Sequence, residues 1–176
     1  MNDRGAALIL SMMAVALLSA LALSLSVLTS TETKVAANYT TAHEMMAAAE
    51  TALEFAVSET LGISDWSGIA AGSTRSAFVD GLPLGPRTLA DGSTVDLTAL
   101  TATLGDDSWH LFAYGALGRL ENVRSNAYIV VWAAPNPPGQ DAVVALRADA
   151  LGPSGSRRAA QATISRMGVL SWMEVR

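Results

Sequence analysis

The sequence predicts an α+β fold, in which one long N-terminal helix packs on an antiparallel β-sheet of about four strands. Three observations predict it. Residues 5–31 contain no Asp, Glu, Lys, Arg or His, and residues 32–61 contain neither Pro nor Gly. The later part of the chain consists of short apolar runs separated by Gly, Pro or Asn. Uninterrupted sequence of the first kind is typical of a single helix, and the short runs are typical of strands.

Composition and charge exclude several classes of function. The chain has 176 residues, which suits one domain plus an anchor. Its formal net charge is −5 and its 11 Lys and Arg residues are scattered, which argues against nucleic-acid binding. We expect the basic pair Arg157-Arg158 to lie in a solvated, turn-like stretch. The chain has no cysteine, so disulfides, zinc thiolates and thiol nucleophiles are excluded.

The apolar run over residues 6–28 is long enough to cross a bilayer as a helix, since about 20 residues span a core of about 30 Å. Its serines can donate hydrogen bonds to carbonyls of their own helix. Three interpretations are open at this point. A cleaved signal peptide would place its cleavage site near Ala20–Ala22, although apolar sequence continues past it. A simple single-span anchor fits equally well, and the third interpretation is a span that continues as an amphipathic helix.

Residues 29–61 continue the helical pattern beyond the apolar run. Apolar or small residues recur at alternating steps of four and three, which predicts one apolar stripe. The stripe consists of Val35, Tyr39, Ala42, Met46, Ala49, Leu53 and Ala56. The sequence therefore predicts one helix of roughly 80 Å, at 1.5 Å per residue, with a transmembrane half over residues 6–28 and an amphipathic half over residues 29–61.

Residues 62–176 are predicted to form a β-rich globular head. Gly62 and the turn-forming residues after it end the helix, and Asp91-Gly92 predicts a hairpin followed by a short strand at Thr94–Leu97. Four later runs have strand length, and their short connections favour antiparallel pairing. They are His110–Leu117, Ser125–Ala133, Ala142–Ala150 and Arg158–Arg166. The second run alternates in a way that indicates burial of both faces, and Pro135–Gly139 is predicted to be an exposed hairpin loop.

The sequence predicts no catalysis, no cofactor and no metal site. His43 and His110 stand without a Ser or Cys nucleophile pattern nearby, so we expect them to be surface or packed histidines. The oxygen-rich stretch Gly105–Ser108 lacks the spaced further ligands of a calcium site, which favours a turn.

Three motifs follow one another along the chain. Arg4-Gly5 precedes the apolar start Ala6–Leu10, and the run Met46–Glu54 contains Ala48-Ala49-Glu50-Thr51-Ala52-Leu53. Near the C-terminus stands Ser171-Trp172-Met173-Glu174. Together they resemble type IV pilins and pseudopilins, and among them the PilX-type minor pilins, with their Ala-Ala-Glu-x-Ala-Leu signature and closing Ser-Trp-x-Glu. The resemblance implies a pilin-like fold, while the middle of the head has no counterpart in it.

The resemblance also implies how the N-terminus is processed. In that family a membrane prepilin peptidase cuts after the leader glycine, which places the cut between Gly5 and Ala6. Residues 1–5 would then be a cytoplasmic leader, and Ala6 the N-methylated first residue. Major pilins usually carry Glu at the fifth mature position, where this chain has Leu10. PilX-type pilins and the K subunit of the type II secretion pseudopilus lack that Glu too, which implies a place at the filament tip.

The predicted function is that of a minor pilin that primes the assembly of a type IV pilus, caps it, or does both. Before assembly it would be a single-pass inner-membrane protein with a periplasmic head, and afterwards it would be extracellular at the pilus tip. Its partners would be other minor and major pilins, the prepilin peptidase and a tip adhesin. The alternatives are a minor pseudopilin of type II secretion and a bitopic membrane protein with a periplasmic ligand-binding head.

Overall fold

The computed structural model describes residues 3–120, 123, 125–136 and 143–175. A long helix is followed by two short helices, a two-stranded ribbon and a five-stranded sheet. The helices are α1 (Asp3–Gly62), α2 (Ser67–Ala70) and α3 (Leu97–Ala102). The ribbon consists of β1 (Pro86–Thr88) and β2 (Thr94–Asp96), and the sheet of β3 (His110–Ala116), β4 (Tyr128–Pro135), β5 (Val143–Leu151), β6 (Arg157–Ser165) and β7 (Gly168–Val175). The predicted α+β class is therefore confirmed.

Helix α1 runs for 60 residues because no Pro interrupts it and its interior contains only one Gly, near the start. Hydroxyl groups along it donate to carbonyls of the preceding turn, as the sequence predicts for serines. Ser11 donates to the Leu8 carbonyl at 2.8 Å and Ser24 to the Ala20 carbonyl at 2.9 Å. These bonds satisfy polar side chains inside an apolar segment. The helix ends at Gly62, one residue beyond the predicted end.

The chain divides into two compact units, residues 1–40 and residues 41–176, and α1 belongs to both. In the first unit, every residue whose exposure is described is exposed, including Val35 and Tyr39 of the predicted stripe. In the second unit Ala49, Leu53 and Ala56 of the predicted stripe are buried, whereas Ala42 and Met46 are half-buried. The buried face also includes positions outside the predicted stripe. The buried residues of α1 are Met45, Ala48, Ala49, Ala52, Leu53, Ala56, Thr60 and Val57.

The sheet is an antiparallel meander in the order β3-β4-β5-β6-β7. It has one strand more than the sequence predicts. The additional strand, β7, lies at the edge and is exposed along most of its length, so its side chains do not alternate between apolar and polar. A strand covered on neither face leaves no periodic signal in the sequence.

Both faces of the middle of the sheet are covered. On the inner face, alternate residues of β4, β5 and β6 form one core with the buried residues of α1. On the outer face, α3 and the ribbon cover a second core, in which Trp132 donates from Nε1 to the Thr101 hydroxyl at 2.9 Å. Residues 128–134 of β4 are all buried, which confirms the predicted strand with two covered faces.

Two of the predicted turns are confirmed. Strands β1 and β2 pair antiparallel around Asp91-Gly92, and Gly92 has a φ of +82°, which a residue without Cβ adopts at little cost. In Gly105–Ser108 the Asp106 carboxylate accepts the Ser108 N–H at 2.9 Å, which closes a turn. Of the predicted loop Pro135–Gly139, residues 137–139 lie outside the described residues.

Candidate functional site

The residues of the predicted cleavage site lie at the start of α1. Gly5 is helical and exposed, and a Cβ added to it would meet no atom within 4 Å. Ala6 is helical as well, but its side chain lies outside what the structure describes. Leu10, at the predicted fifth mature position, is 68 % exposed. Most of its isobutyl group is therefore available to lipid or to another helix.

Residues 7–28 present an exposed apolar surface along α1. Every large apolar side chain from Leu8 to Leu28 is at least 55 % exposed. By length and composition, α1 is the helix among the described residues that could cross a membrane, and an 18-residue window of it has a mean hydropathy of 2.4. An apolar surface of this extent is not stable in water and marks a contact with membrane or protein.

The helix motif lies in the core of the second unit. Ala48, Ala49, Ala52 and Leu53 are all buried, whereas Glu50 is exposed. The strands of the inner face are also rich in alanine, at Ala148, Ala150, Ala160 and Ala162. Small side chains on both elements let a helix lie close to a sheet, so the motif describes a packing surface rather than a chemical site.

A glycine supports the same contact. A Cβ on Gly152, which follows β5, would lie 2.3 Å from the sulfur of Met45 on α1. Real Cβ atoms do not approach a neighbour so closely, so any side chain at this position would displace Met45 or the strand end. The absence of a side chain at Gly152 therefore leaves room for the Met45 side chain beside the end of β5.

The C-terminal motif lies on the edge strand. Trp172 pairs with Ala162 of β6 and is 40 % exposed, and Glu174 pairs with Ala160 and is exposed. Ser171, opposite Thr163, is exposed too. The three motifs thus occupy an exposed helix, a buried helix face and an edge strand. The Ala48–Leu53 motif and the C-terminal motif, which both lie in the second unit, are on different elements.

Arg157 is not part of a solvated turn, so that expectation is wrong. It is the first residue of β6 and forms an ion pair with Asp149 of β5, which is fully buried. Arg147 pairs with the same carboxylate at 2.9 Å. The sequence signal for this group was the spacing of Arg147 and Asp149, which places both on one face of a strand. Arg158, next to Arg157, is exposed.

Arg166 holds the end of α1 and has no signal in the local sequence. It donates from Nη1 to the Ile63 carbonyl at 2.7 Å and from Nη2 to the Ser64 carbonyl at 2.6 Å. Its guanidinium lies 4.2 Å from the ring centroid of Trp66, whose Nε1 donates to the Thr60 carbonyl at 2.8 Å. These contacts satisfy carbonyls at and just beyond the helix C-terminus.

The titratable side chains of the described residues include two histidines and several turn-closing carboxylates. No group of three or more His, Asp and Glu residues that could hold a metal ion occurs there. His43 lies on α1, and His110 begins β3 opposite Ala133. The pKa of Asp65 is lowered because it accepts the Ser67 N–H, with a further contribution from the charge of Arg166. This carboxylate closes a turn after α1.

The comparison with protein families supports the resemblance seen in the sequence. Residues 4–54 match the family model described as PilX N-terminal. The match covers the apolar half of α1, Leu10 and the whole Ala48–Leu53 motif, and it ends within the buried part of the helix. It supports the interpretation of the chain as a PilX-type type IV pilin. No curated protein and no solved structure matches the chain.

Proposed function

We propose, from the premise that residues 4–54 are the N-terminal segment of a PilX-type type IV pilin, that this chain is a minor pilin that primes or caps a type IV pilus. The observation that carries the proposal is the uniform exposure of the apolar residues from Leu8 to Leu28. A helix in this condition needs a cover from outside its own chain. Lipid supplies that cover before assembly, and the helices of other pilins supply it in the filament.

Assembly exchanges lipid contacts for helix contacts. Such exchanges gain little from the hydrophobic effect, so they depend on close packing and on small residues that let helices approach. Ala16, Ala20 and Ser24 follow one another at steps of four and share one face of α1. The Ser24 hydroxyl donates a hydrogen bond to the Ala20 carbonyl, so it adds no unpaired donor to that contact. This face is our candidate for the contact with a neighbouring pilin helix.

Leu10 supports a place at the tip rather than in the shaft. A carboxylate inside the membrane span is costly unless a partner neutralises it. A shaft subunit has a neighbour above it whose N-terminal amine can play that part, whereas the uppermost subunit has none. Leu10 carries no charge, so a subunit with leucine at this position needs no such neutralising partner. We therefore assign the chain to the first subunits of the filament, with its head outward and other pilins below it.

Processing at Gly5 requires the first turn of α1 to open, because a peptidase binds extended backbone. Glycine disfavours helix by about 1 kcal/mol relative to alanine, so it weakens the helix at the scissile bond. It also presents no side chain to the cleft of the peptidase. Gly5 is thus suited to cleavage on both counts, and Ala6 would be the mature N-terminus.

The test is to express the full chain with an active or an inactivated prepilin peptidase and to measure its intact mass and N-terminal sequence. We expect a mature chain that begins at Ala6 only with the active enzyme. Gly5→Val should retain the leader, whereas Gly62→Val is the matched control, because a Cβ meets no atom within 4 Å at either glycine. An intact leader in the wild type, or cleavage near Ala22, would contradict the proposal.

The place in the filament needs a second measurement. In the native host we expect the chain at low copy number in sheared filaments, and fewer filaments when it is deleted. Leu10→Glu should leave processing unchanged and reduce filament number, because it places an unpaired carboxylate in the span. A deletion that abolishes protein secretion and leaves filaments unchanged would favour the type II secretion alternative instead. A chain found only in membranes would favour the bitopic alternative.

A further inference from the structure

The outer face of the sheet contains a buried carboxylate held by two arginines. Asp149 of β5 is 0 % exposed. Its Oδ1 accepts from Arg147 Nε at 2.9 Å, and its Oδ2 accepts from Arg157 Nε at 2.6 Å and is also paired with Arg157 Nη2. A buried charge persists only when it is paired and hydrogen-bonded, so this carboxylate fixes the positions of both guanidinium groups.

The two arginines have more donors than Asp149 uses. A guanidinium group has five N–H donors. Both terminal nitrogens of Arg147, and Nη1 of Arg157, donate to no acceptor among the described residues. The two side chains are 21 % and 35 % exposed, so these donors are accessible to a solute. Two positive charges against one negative charge also leave a local excess of one positive charge.

The unused donors border a cleft of about 790 Å³. This volume lies within the range of about 300 to 1,000 Å³ that is typical of small-molecule sites. A third arginine, Arg158, contributes to the lining, and Leu104, Ala159 and Val175 form apolar walls. Glu174 also borders the cleft, but it pairs with Ala160 of the inner face, so its side chain leaves β7 on the face opposite to Arg147 and Arg157.

We propose that this cleft binds an oxyanion, either a carboxylate or a phosphate, carried by a molecule of up to about the size of one sugar. Arg147 and Arg157 would bind the anionic group through their free terminal nitrogens, since a guanidinium fork matches two oxygens of one group. The apolar walls would contact the body of the molecule. The site is independent of the processing and assembly proposed above, and it would place a recognition function on the head.

The test is ligand-dependent thermal stabilisation of the full chain in non-ionic detergent, followed by tryptophan fluorescence at constant pH and ionic strength. The probes are inorganic phosphate and glucuronate, with chloride and glucose as their matched controls. A ligand that binds only the folded state raises Tm with its concentration, and the dependence yields a Kd. We expect phosphate, glucuronate or both to raise Tm, and we expect no rise with glucose.

Variants that remove or keep the charge of an arginine separate binding from a merely structural role. Arg147→Gln and Arg157→Gln should each weaken binding by about fivefold or more, and Arg147→Lys should retain part of it, because it keeps the charge beside Asp149. Glu174→Gln removes a charge whose side chain lies on the opposite face of the sheet, so it should change the affinity by less than about twofold. Arg75→Gln, at an exposed position away from the cleft, should change nothing.

The outcomes decide the proposal even if one arginine variant fails to fold, because the other arginine variant and Arg147→Lys remain. Stabilisation by glucuronate but not by glucose supports a carboxylated ligand, and stabilisation by phosphate alone supports a phosphorylated one. Equal Tm in all four solutes would overturn the proposal, and so would an equal effect of Arg75→Gln and Arg147→Lys on affinity. None of these results depends on whether Gly5 is a cleavage site.

Discussion

The two halves of α1 have opposite surroundings although they form one helix. Leu17, in residues 7–40, is 67 % exposed, whereas Leu53, in residues 41–62, is 0 % exposed. The half with the larger apolar side chains is the exposed one, and the buried half is rich in alanine. Large apolar side chains suit contact with lipid, whereas alanines let a helix lie close to a sheet. Hydrophobicity alone does not show which segment its own chain buries.

The largest effect that this contrast predicts is on the stability of the head. Leu53→Ala should lower the free energy of unfolding by about 2 to 5 kcal/mol, because it removes buried methyl groups and leaves a cavity between α1 and the sheet. Tm should fall by on the order of 10 °C. The measurement is thermal unfolding of the full chain in detergent, followed by tryptophan fluorescence.

Leu17→Ala is the matched control, since it makes the same change on the exposed half of the same helix. We expect the Tm of the head to stay unchanged in this variant. A fall in Tm equal to that of Leu53→Ala would contradict the contrast, because it would mean that the exposed half also supports the head.

The same contrast explains what the sequence could and could not predict. The length of α1 follows from the absence of helix breakers, and the two covered faces of β4 follow from its uninterrupted apolar residues, so both are encoded locally. Strand β7 is not encoded in this way, because an edge strand exposed on both faces needs no alternation. The contact of Arg166 with the Ile63 carbonyl joins residues 103 positions apart, and no local pattern predicts it.

The candidate sites also differ in whether adjacent residues or residues distant in the sequence form them. The residues at the start of α1 could be identified from adjacent motifs, because processing acts on a linear segment. The cleft on the outer face could not, because Arg147 and Arg157 come from two strands and meet only through Asp149. Single-sequence reasoning detects a pair of charges on one strand, and it does not detect the partner that the next strand supplies.

A second effect concerns the stability of the outer-face core of the head at alkaline pH. Burial raises the pKa of Tyr128 to about 12, and the charge of Asp80 adds to the effect. A raised pKa means that the folded state keeps its proton longer than the unfolded state, whose tyrosines titrate near about 10. The stabilisation is therefore complete below about pH 10 and is lost as pH rises to about 12. It amounts to on the order of 2 to 3 kcal/mol.

The measurement is Tm as a function of pH over that alkaline range. In Tyr128→Phe the loss of Tm should be much smaller, since the phenolic group that titrates is gone. Tyr39→Phe, on the exposed half of α1, should keep the alkaline loss seen in the wild type. If Tyr128→Phe loses as much Tm as the wild type, the buried phenol is not the group responsible.

A third and smaller effect tests where the buried half of α1 ends. Arg166→Met should lower the free energy of unfolding by about 1 to 2 kcal/mol, because it removes two hydrogen bonds to carbonyls beyond the helix and the contact with Trp66. Arg166→Lys should recover only part of the loss, since an ammonium group does not have the planar fork of arginine. The control is Arg75→Met, an exposed arginine. Equal Tm values for Arg166→Met and Arg75→Met would show that this cap does not stabilise the head.

The smallest effect appears in acid and belongs to a turn on the surface of the head. The pKa of Asp91 is lowered because its carboxylate accepts from the Ser93 hydroxyl and N–H and from the Ser154 N–H, which links the ribbon to the β5–β6 connection. A lowered pKa gives stability that is present above the unfolded value of about 3.9 and is lost as pH falls through the folded value. Tm should therefore decline below about pH 4, and the decline should be shallower in Asp91→Asn than in the wild type.

Asp107→Asn, at an exposed carboxylate, is the control and should keep the full decline. The pKa values of Asp65 and Asp106 are also lowered, so Asp91→Asn should remove only part of the decline of Tm in acid. If Tm of Asp91→Asn declines in acid as steeply as Tm of the wild type, the Asp91–Ser154 hydrogen bond does not stabilise the head. The ribbon would then be held by the buried outer-face core alone.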